Sequence, residues 1–164
     1  IWSCLVGSEM CIRDRAKGVG GYMNSTLAKI DAVDNGYDDA IMLGDDGTVA
    51  EGSGQNIFIV KNNNISTPPN STGALNGITR RTVIEIAKSK NISIEEKNLT
   101  VEDLKNADEV FFTGTATGVI GVVSIDGDDI SNGKVGEITS DLINSYEDVV
   151  NAKDDNFKSY ITLI

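Results

Sequence analysis

No histidine occurs among the 164 residues. That removes imidazole metal ligands and every serine or cysteine nucleophile that relies on a histidine base. The only two cysteines, Cys4 and Cys11, lie at the very start, so beyond them disulfide and thiol chemistry are excluded. Bases are scarce, 14 against 25 acids for a formal charge of −11, which argues against nucleic acid or an anionic membrane as partner. No apolar run approaches the roughly 20 residues that span a bilayer. The opening also lacks the basic region and small-residue cleavage site of a signal peptide. A cytoplasmic setting is the expectation. Prolines number two, adjacent at Pro68-Pro69, and aromatics make up 5%.

What remains is an ordinary globular composition with 40% hydrophobic residues, in one domain's length that can bury about 70% of its unfolded surface. Residues 1–15 carry no helix or strand period and look like translated adapter sequence foreign to the fold, an unstructured lead-in. Residues 16–164 are then the folding unit. The spacing predicts a helix over about residues 25–34 with Leu27, Ile30 and Val33 on its inward face, stopped by Gly36. A buried strand over residues 39–43, a turn at Gly44-Asp45-Asp46-Gly47 and a return strand to Glu51 follow. Strands over 56–61 and 65–67 flank the Asn62-Asn63-Asn64 turn, and Pro68-Pro69 ends that pairing because proline cannot donate to a ladder. A second helix runs to about Lys90 with Val83, Ile84 and Ala87 as its stripe. Residues 92–99 alternate as a strand, Thr100 caps a short helix through Ala107, and residues 109–113 and 119–125 are strands. An Asp126-Gly127-Asp128-Asp129 turn and a last helix over about 136–151 complete the pattern. Five Asn-x-Ser/Thr sequons read as asparagine-rich turns, not as glycosylation sites. The fold class is mixed α/β.

Four places can carry chemistry. Lys17 precedes Gly18, Gly20 and Gly21. An amine among small residues is desolvated easily and suits a Schiff-base lysine, though a plain surface lysine has the same pattern. Tyr22 offers a phenol or simply fills core. Glu51 stands before Gly52-Ser53-Gly54, where missing side chains allow positive φ or close approach of a flat ligand. A carboxylate there can face a cationic heterocycle, or be an exposed hairpin acid. Gly77-Ile78-Thr79 opens a helix whose free N–H groups and dipole favour an anion, a property of many helix starts. Residues 113–117, rich in hydroxyls at a strand end, can bind an anion or form a compact turn.

The order and spacing of these segments are more specific than any one of them. Lys17, Gly21-Tyr22, Gly36-Tyr37-Asp38-Asp39-Ala40-Ile41, Glu51-Gly52-Ser53-Gly54-Gln55-Asn56-Ile57-Phe58, Leu75-Asn76-Gly77-Ile78-Thr79-Arg80 and Phe111-Phe112-Thr113-Gly114-Thr115 together resemble the fold-type IV aminotransferases, branched-chain amino acid aminotransferases in particular. The resemblance runs from about Ala16 to the end. It implies the pseudo-barrel large domain of these enzymes, mixed strands flanked by helices, with pyridoxal 5′-phosphate at the mouth.

By position, Lys17 matches the lysine that carries the cofactor and moves a proton between the substrate's Cα and the cofactor's C4′. Glu51 matches the acid facing the pyridine nitrogen, and Tyr22 the tyrosine near the cofactor's phenolic oxygen and the substrate's aliphatic pocket. Leu75, Gly77, Ile78, Thr79 and Thr115 match positions that pack the ring or hold its phosphate. Thr115 and Ala116 match groups offered to the substrate carboxylate.

The implied reaction is transfer of an amino group between Leu, Ile or Val and 2-oxoglutarate, in a homo-oligomer and without metal. Alternatives on the same fold are D-amino acid transamination, aminodeoxychorismate lyase chemistry, or an inactive truncated domain. Two departures stand out. The family's small domain, with a further basic phosphate ligand, precedes its lysine, so the chain is expected to be part of a longer reading frame. After Ala116 the family often continues with Glu and Pro, where Thr117-Gly118 stand here.

Overall fold

The computed structural model describes residues 2–5 and 23–160. Lys17 and Tyr22 lie outside the described residues. Strands β1 (Trp2–Leu5), β2 (Ala40–Leu43) and β3 (Val49–Gly52) form one sheet in that order, β1 parallel and β3 antiparallel to β2. The opening, read from sequence as unstructured, thus contributes a strand. The backbone of an open sheet edge pairs with any extended segment, whatever the segment's side-chain period. A second sheet is built from β4 (Asn56–Lys61), β5 (Asn64–Thr67), β6 (Ile94–Glu96), β7 (Glu109–Gly114) and β8 (Gly118–Val122), ordered β6-β5-β4-β7-β8. Only β5 and β6 pair in parallel there. A small hairpin, β9 (Ser124–Ile125) and β10 (Asp128–Asp129), turns on Asp126 and Gly127, both at positive φ.

The central strand β4 is buried on both faces, and its period of two divides the core. Ile57 and Ile59 face a cluster with Ile41, Val49, Leu99 and Phe112, while Phe58 and Val60 face another with Val83, Ile86, Phe111 and Leu142. The Phe58 and Phe111 rings stack at 4.8 Å between centroids. Helices α2 (Ile78–Ser89) and α4 (Glu137–Val150) cover the second face. The short helix α3 (Val101–Lys105) starts in a capping box between Thr100 and Asp103, which holds the Asp103 carboxyl below its usual range through hydrogen bonds from the Thr100 backbone and side chain. Among the described residues no helix is long and apolar enough to cross a membrane.

Helix α1 (Met23–Asp34) forms where expected but is turned the other way. Its buried residues are Ser25, Ala28 and Ala32, and Leu27, Ile30 and Val33 are more than half exposed. Two contacts set that rotation. Small side chains let the helix settle on Ala40 and Met42 of β2, and Lys29 Nζ reaches Asp39 Oδ2 at 2.9 Å and the Asp38 carbonyl at 2.6 Å. Gly36 ends the helix as foreseen, at φ +85°. The Tyr37 N–H donates to Ala32 O and the Gly36 N–H to Val33 O, a Schellman closure. The predicted strand over residues 92–99 shrinks to β6, with Leu99 kept as an isolated bridge to Val49. In the 62–64 turn, Asn62 and Asn63 both take positive φ, as a tight hairpin with this twist requires.

Candidate active site

Glu51 is carried by β3 of the first sheet and Asn56 begins β4 of the second, so the turn between them crosses from sheet to sheet. The turn closes with the Gly52 N–H donating to Gln55 O at 2.7 Å. Of the two uses the sequence suggests for its glycines, positive φ is not one they take, since neither is among the positive-φ residues. A Cβ on Gly52 would sit 3.0 Å from a Phe112 ring carbon, so Gly52 serves core packing. Gly54 has open space around it. Ser53 is tied down by its hydroxyl, which donates to Asp39 Oδ1. Asp39 is itself buried, paired with Lys29, and accepts from the Ala40 N–H at 2.8 Å. In the sequence Asp39 stands at the head of a predicted buried strand and within the Gly36–Ile41 segment, with no role assigned to it.

The Glu51 carboxylate accepts from the Leu75 N–H at 3.0 Å through Oε2, with Asn56 Nδ2 3.4 Å from the same oxygen. Asn56 Nδ2 also donates to Leu75 O at 2.6 Å. Leu75 leads into Gly77, the N-cap of α2, which has extended φ and ψ and no side-chain cap. The first amides of α2 therefore have neither an intrahelical acceptor nor a capping oxygen from Gly77. A side chain at position 77 is impossible without rearrangement, since its Cβ would fall 2.3 Å from Asn56 Oδ1. Thr79, in the first turn, is buried, with Oγ1 3.4 Å from the hydroxyl of Tyr146 on α4. Tyr146 was not anticipated; its placement depends on how α4 crosses α2.

Glu51, Asn56, Leu75, Gly77 and Thr79 line one cavity of about 200 Å³ at the seam of the two sheets. Six of the anticipated residues meet there: Glu51, Leu75, Gly77, Ile78, Thr79 and Thr115. Gly54, Gln55, Asn56, Asn76, Thr113 and Gly114 complete the wall. Ala116 is exposed and outside that lining. Two wall atoms are buried without a hydrogen-bond partner among the described residues, Thr113 Oγ1 and Gln55 Oε1. Unmatched buried polar atoms are uncommon in a folded chain and mark a place where a ligand can complete the bonding. The cavity joins a carboxylate on one side to a helix N-terminus with hydroxyls on the other, an arrangement for a ligand cationic at one end and anionic at the other.

A family model for class IV aminotransferases ("Amino-transferase class IV") matches residues 8–125. The chain belongs to the class IV aminotransferase family. The chain is 45% identical over 152 residues to a probable branched-chain-amino-acid aminotransferase of Aquifex aeolicus, covering 92% of the chain and 49% of that protein. It is 43% identical over 150 residues to the branched-chain-amino-acid aminotransferase of Pseudomonas aeruginosa, covering 92% and 48%. Among solved structures it superposes on the branched-chain aminotransferase of Thermoproteus uzoniensis with norvaline at a TM-score of 0.91 and 39% identity, covering 98% of this chain and 54% of that one. The PLP (holo) form of the Thermobaculum terrenum enzyme gives 0.91 and 34%, with the same coverage. The chain thus spans about half the length of the relatives it matches. Their likeness settles the fold as that of the fold-type IV aminotransferases.

Proposed function

We propose that the protein is a pyridoxal-phosphate-dependent aminotransferase that exchanges an amino group between Leu, Ile or Val and 2-oxoglutarate. The supporting observation is the meeting of Glu51 and the open N-terminus of α2 in one cavity, in a chain 43–50% identical to proteins named as branched-chain aminotransferases. The donor set fits this cofactor. Free helix amides and the Thr79 hydroxyl suit a phosphate, the half-buried Glu51 carboxylate suits a protonated ring nitrogen, and Thr113 Oγ1 is a buried hydroxyl with no partner among the described residues. Bound there, pyridoxal phosphate supplies an electron sink for the carbanion formed at the substrate's Cα.

The chain's own residues would do the rest. Glu51, aimed by the Leu75 N–H and the Asn56 amide, favours the protonated ring nitrogen by opposite charge. Leu75 and Ile78 offer apolar surface to the ring, and Ile78 is 66% exposed at the cavity edge. The amides and dipole of α2 seat the phosphate. Thr115 and Ala116 would present polar groups to the substrate carboxylate. On the family resemblance, Lys17 carries the cofactor and moves the proton between Cα and C4′, with Tyr22 beside the phenolic oxygen. The same proposal makes residues 16–164 the large domain of a homo-oligomeric, cytoplasmic enzyme whose small domain adds a basic phosphate ligand.

Two measurements on the full-length protein test this. Assayed with 2-oxoglutarate, L-leucine should be a far better amino donor than D-alanine; the reverse preference, or no transfer from either, rejects the substrate class. Lys17→Ala should lose the absorbance band of the covalently held cofactor, and its persistence would remove Lys17 from the role.

A further inference from the structure

We propose that Asn56 is a positioning residue that sets the Glu51 carboxylate and the N-terminus of α2 at a fixed separation, so that the two ends of a flat, phosphorylated ring ligand are held as a unit. This rests on the cofactor reading above. Asn56 is 5% exposed and opens β4, the strand buried on both faces. Its Nδ2 donates to Leu75 O at 2.6 Å and lies 3.4 Å from Glu51 Oε2, and that same oxygen accepts from the Leu75 N–H at 3.0 Å. One amide nitrogen thus addresses the carboxylate and the loop that the carboxylate itself grips, closing a small ring of hydrogen bonds. Its other amide atom, Oδ1, packs against Gly77 so closely that no Cβ fits at that N-cap. Leu75 O takes a second donor, the Gly77 N–H at 2.8 Å.

The acid on one sheet and the helix start beyond the other are therefore referenced to one buried side chain. A group that only tied a loop to a strand would need the Leu75 contact alone. The contact with Glu51 and the fit against Gly77 assign Asn56 to both ends of the cavity. A substitution at Asn56 should then act through Glu51, and the two sites should be coupled.

The test is a double-mutant cycle in the full-length protein, read as pyridoxal phosphate affinity by fluorescence titration and as the pH dependence of the bound cofactor's absorbance. Asn56→Ala and Glu51→Gln should each weaken binding by about tenfold or more. The double variant should lose at least about fivefold less than the product of the two. In Asn56→Ala the absorbance transition should also move in pH toward that of the free cofactor. Asn56→Leu, close in shape and adding no charge beside Glu51, serves in the same cycle if the alanine variant does not fold. Multiplicative losses, or an Asn56→Ala protein that binds within about twofold of the parent with an unmoved pH profile, overturn the role of Asn56 while leaving the cofactor reading intact. A parent protein that shows no saturable binding overturns both.

Discussion

Helices α1 and α2 are each twelve residues long, and each shows apolar residues at helical spacing, yet they sit on the protein in opposite senses. α2 turns Val83, Ile86 and Ala87 into the core and closes over Arg80, which is 2% exposed and pairs with Glu96 at 2.9 Å and Pro68 O at 3.1 Å. α1 turns Ser25, Ala28 and Ala32 inward and leaves Met23, Leu27, Ile30 and Val33 outside. A stripe of large side chains needs room opposite it. Beside β2 the room is only enough for alanine-sized groups, and the Lys29–Asp39 pair fixes the rotation. The direction a helix faces is therefore set by the surface that receives it as much as by its own pattern.

The sharpest way to break this contrast is to make the same truncation in both helices. Ile86→Ala in α2 should cost about 3 kcal/mol of stability, against less than about 0.5 kcal/mol for Leu27→Ala in α1, measured by urea denaturation. Equal costs would show that α1 is turned inward in solution. Next in size, Ala32→Leu should destabilise by about 2 kcal/mol through overpacking against β2, although it adds apolar surface to a helix. At the ends the two helices close alike, with Gly36 or Asn91 in the left-handed region and the following amide bonded five residues back. Gly36→Ala should cost about 1 kcal/mol, while Asn91→Gly should stay within about 0.5 kcal/mol of the parent.

The smallest effect concerns the outer side of α2. There the tail packs Phe157 into the core, and the Tyr160 hydroxyl donates to Glu85. That hydrogen bond, with some burial, raises the phenol above its ordinary 10.0. A raised pKa means the contribution is complete below about pH 10 and is lost as pH climbs through the raised value. Thermal melts should show a slight alkaline loss that Tyr160→Phe removes.

Much of this was readable beforehand where one local cause dominates. The apolar run over 56–61 forms a buried strand, Thr100 and Asp103 form a cap, and the last helix starts near Gly136 as its spacing indicates. Why a glycine stands at 136 was not readable: a Cβ there would collide with Glu109, whose carboxylate accepts from the Ile138 and Thr139 amides at 3.1 and 2.7 Å. In the cavity, Glu51 and the 75–79 segment were legible because a carboxylate before glycines and a Gly-Ile-Thr helix start are local signatures. What was hidden depends on contacts distant in sequence. Examples are the face of α1, the role of Gly52 against Phe112, the anchoring of Ser53 by Asp39, and the approach of Tyr146 to Thr79. Single residues carry no sign of such partners, because the partner is chosen by how sheets and helices cross.

The turn between Glu51 and Asn56 carries the chain over from the three-stranded layer to the five-stranded one, and the cavity opens where those layers part. Whatever occupies it touches both, so it works like a rivet between two plates. With the rivet in, amide exchange across β2 and β7 should slow in step; with it removed, the three-stranded plate, having fewer neighbours, should loosen first.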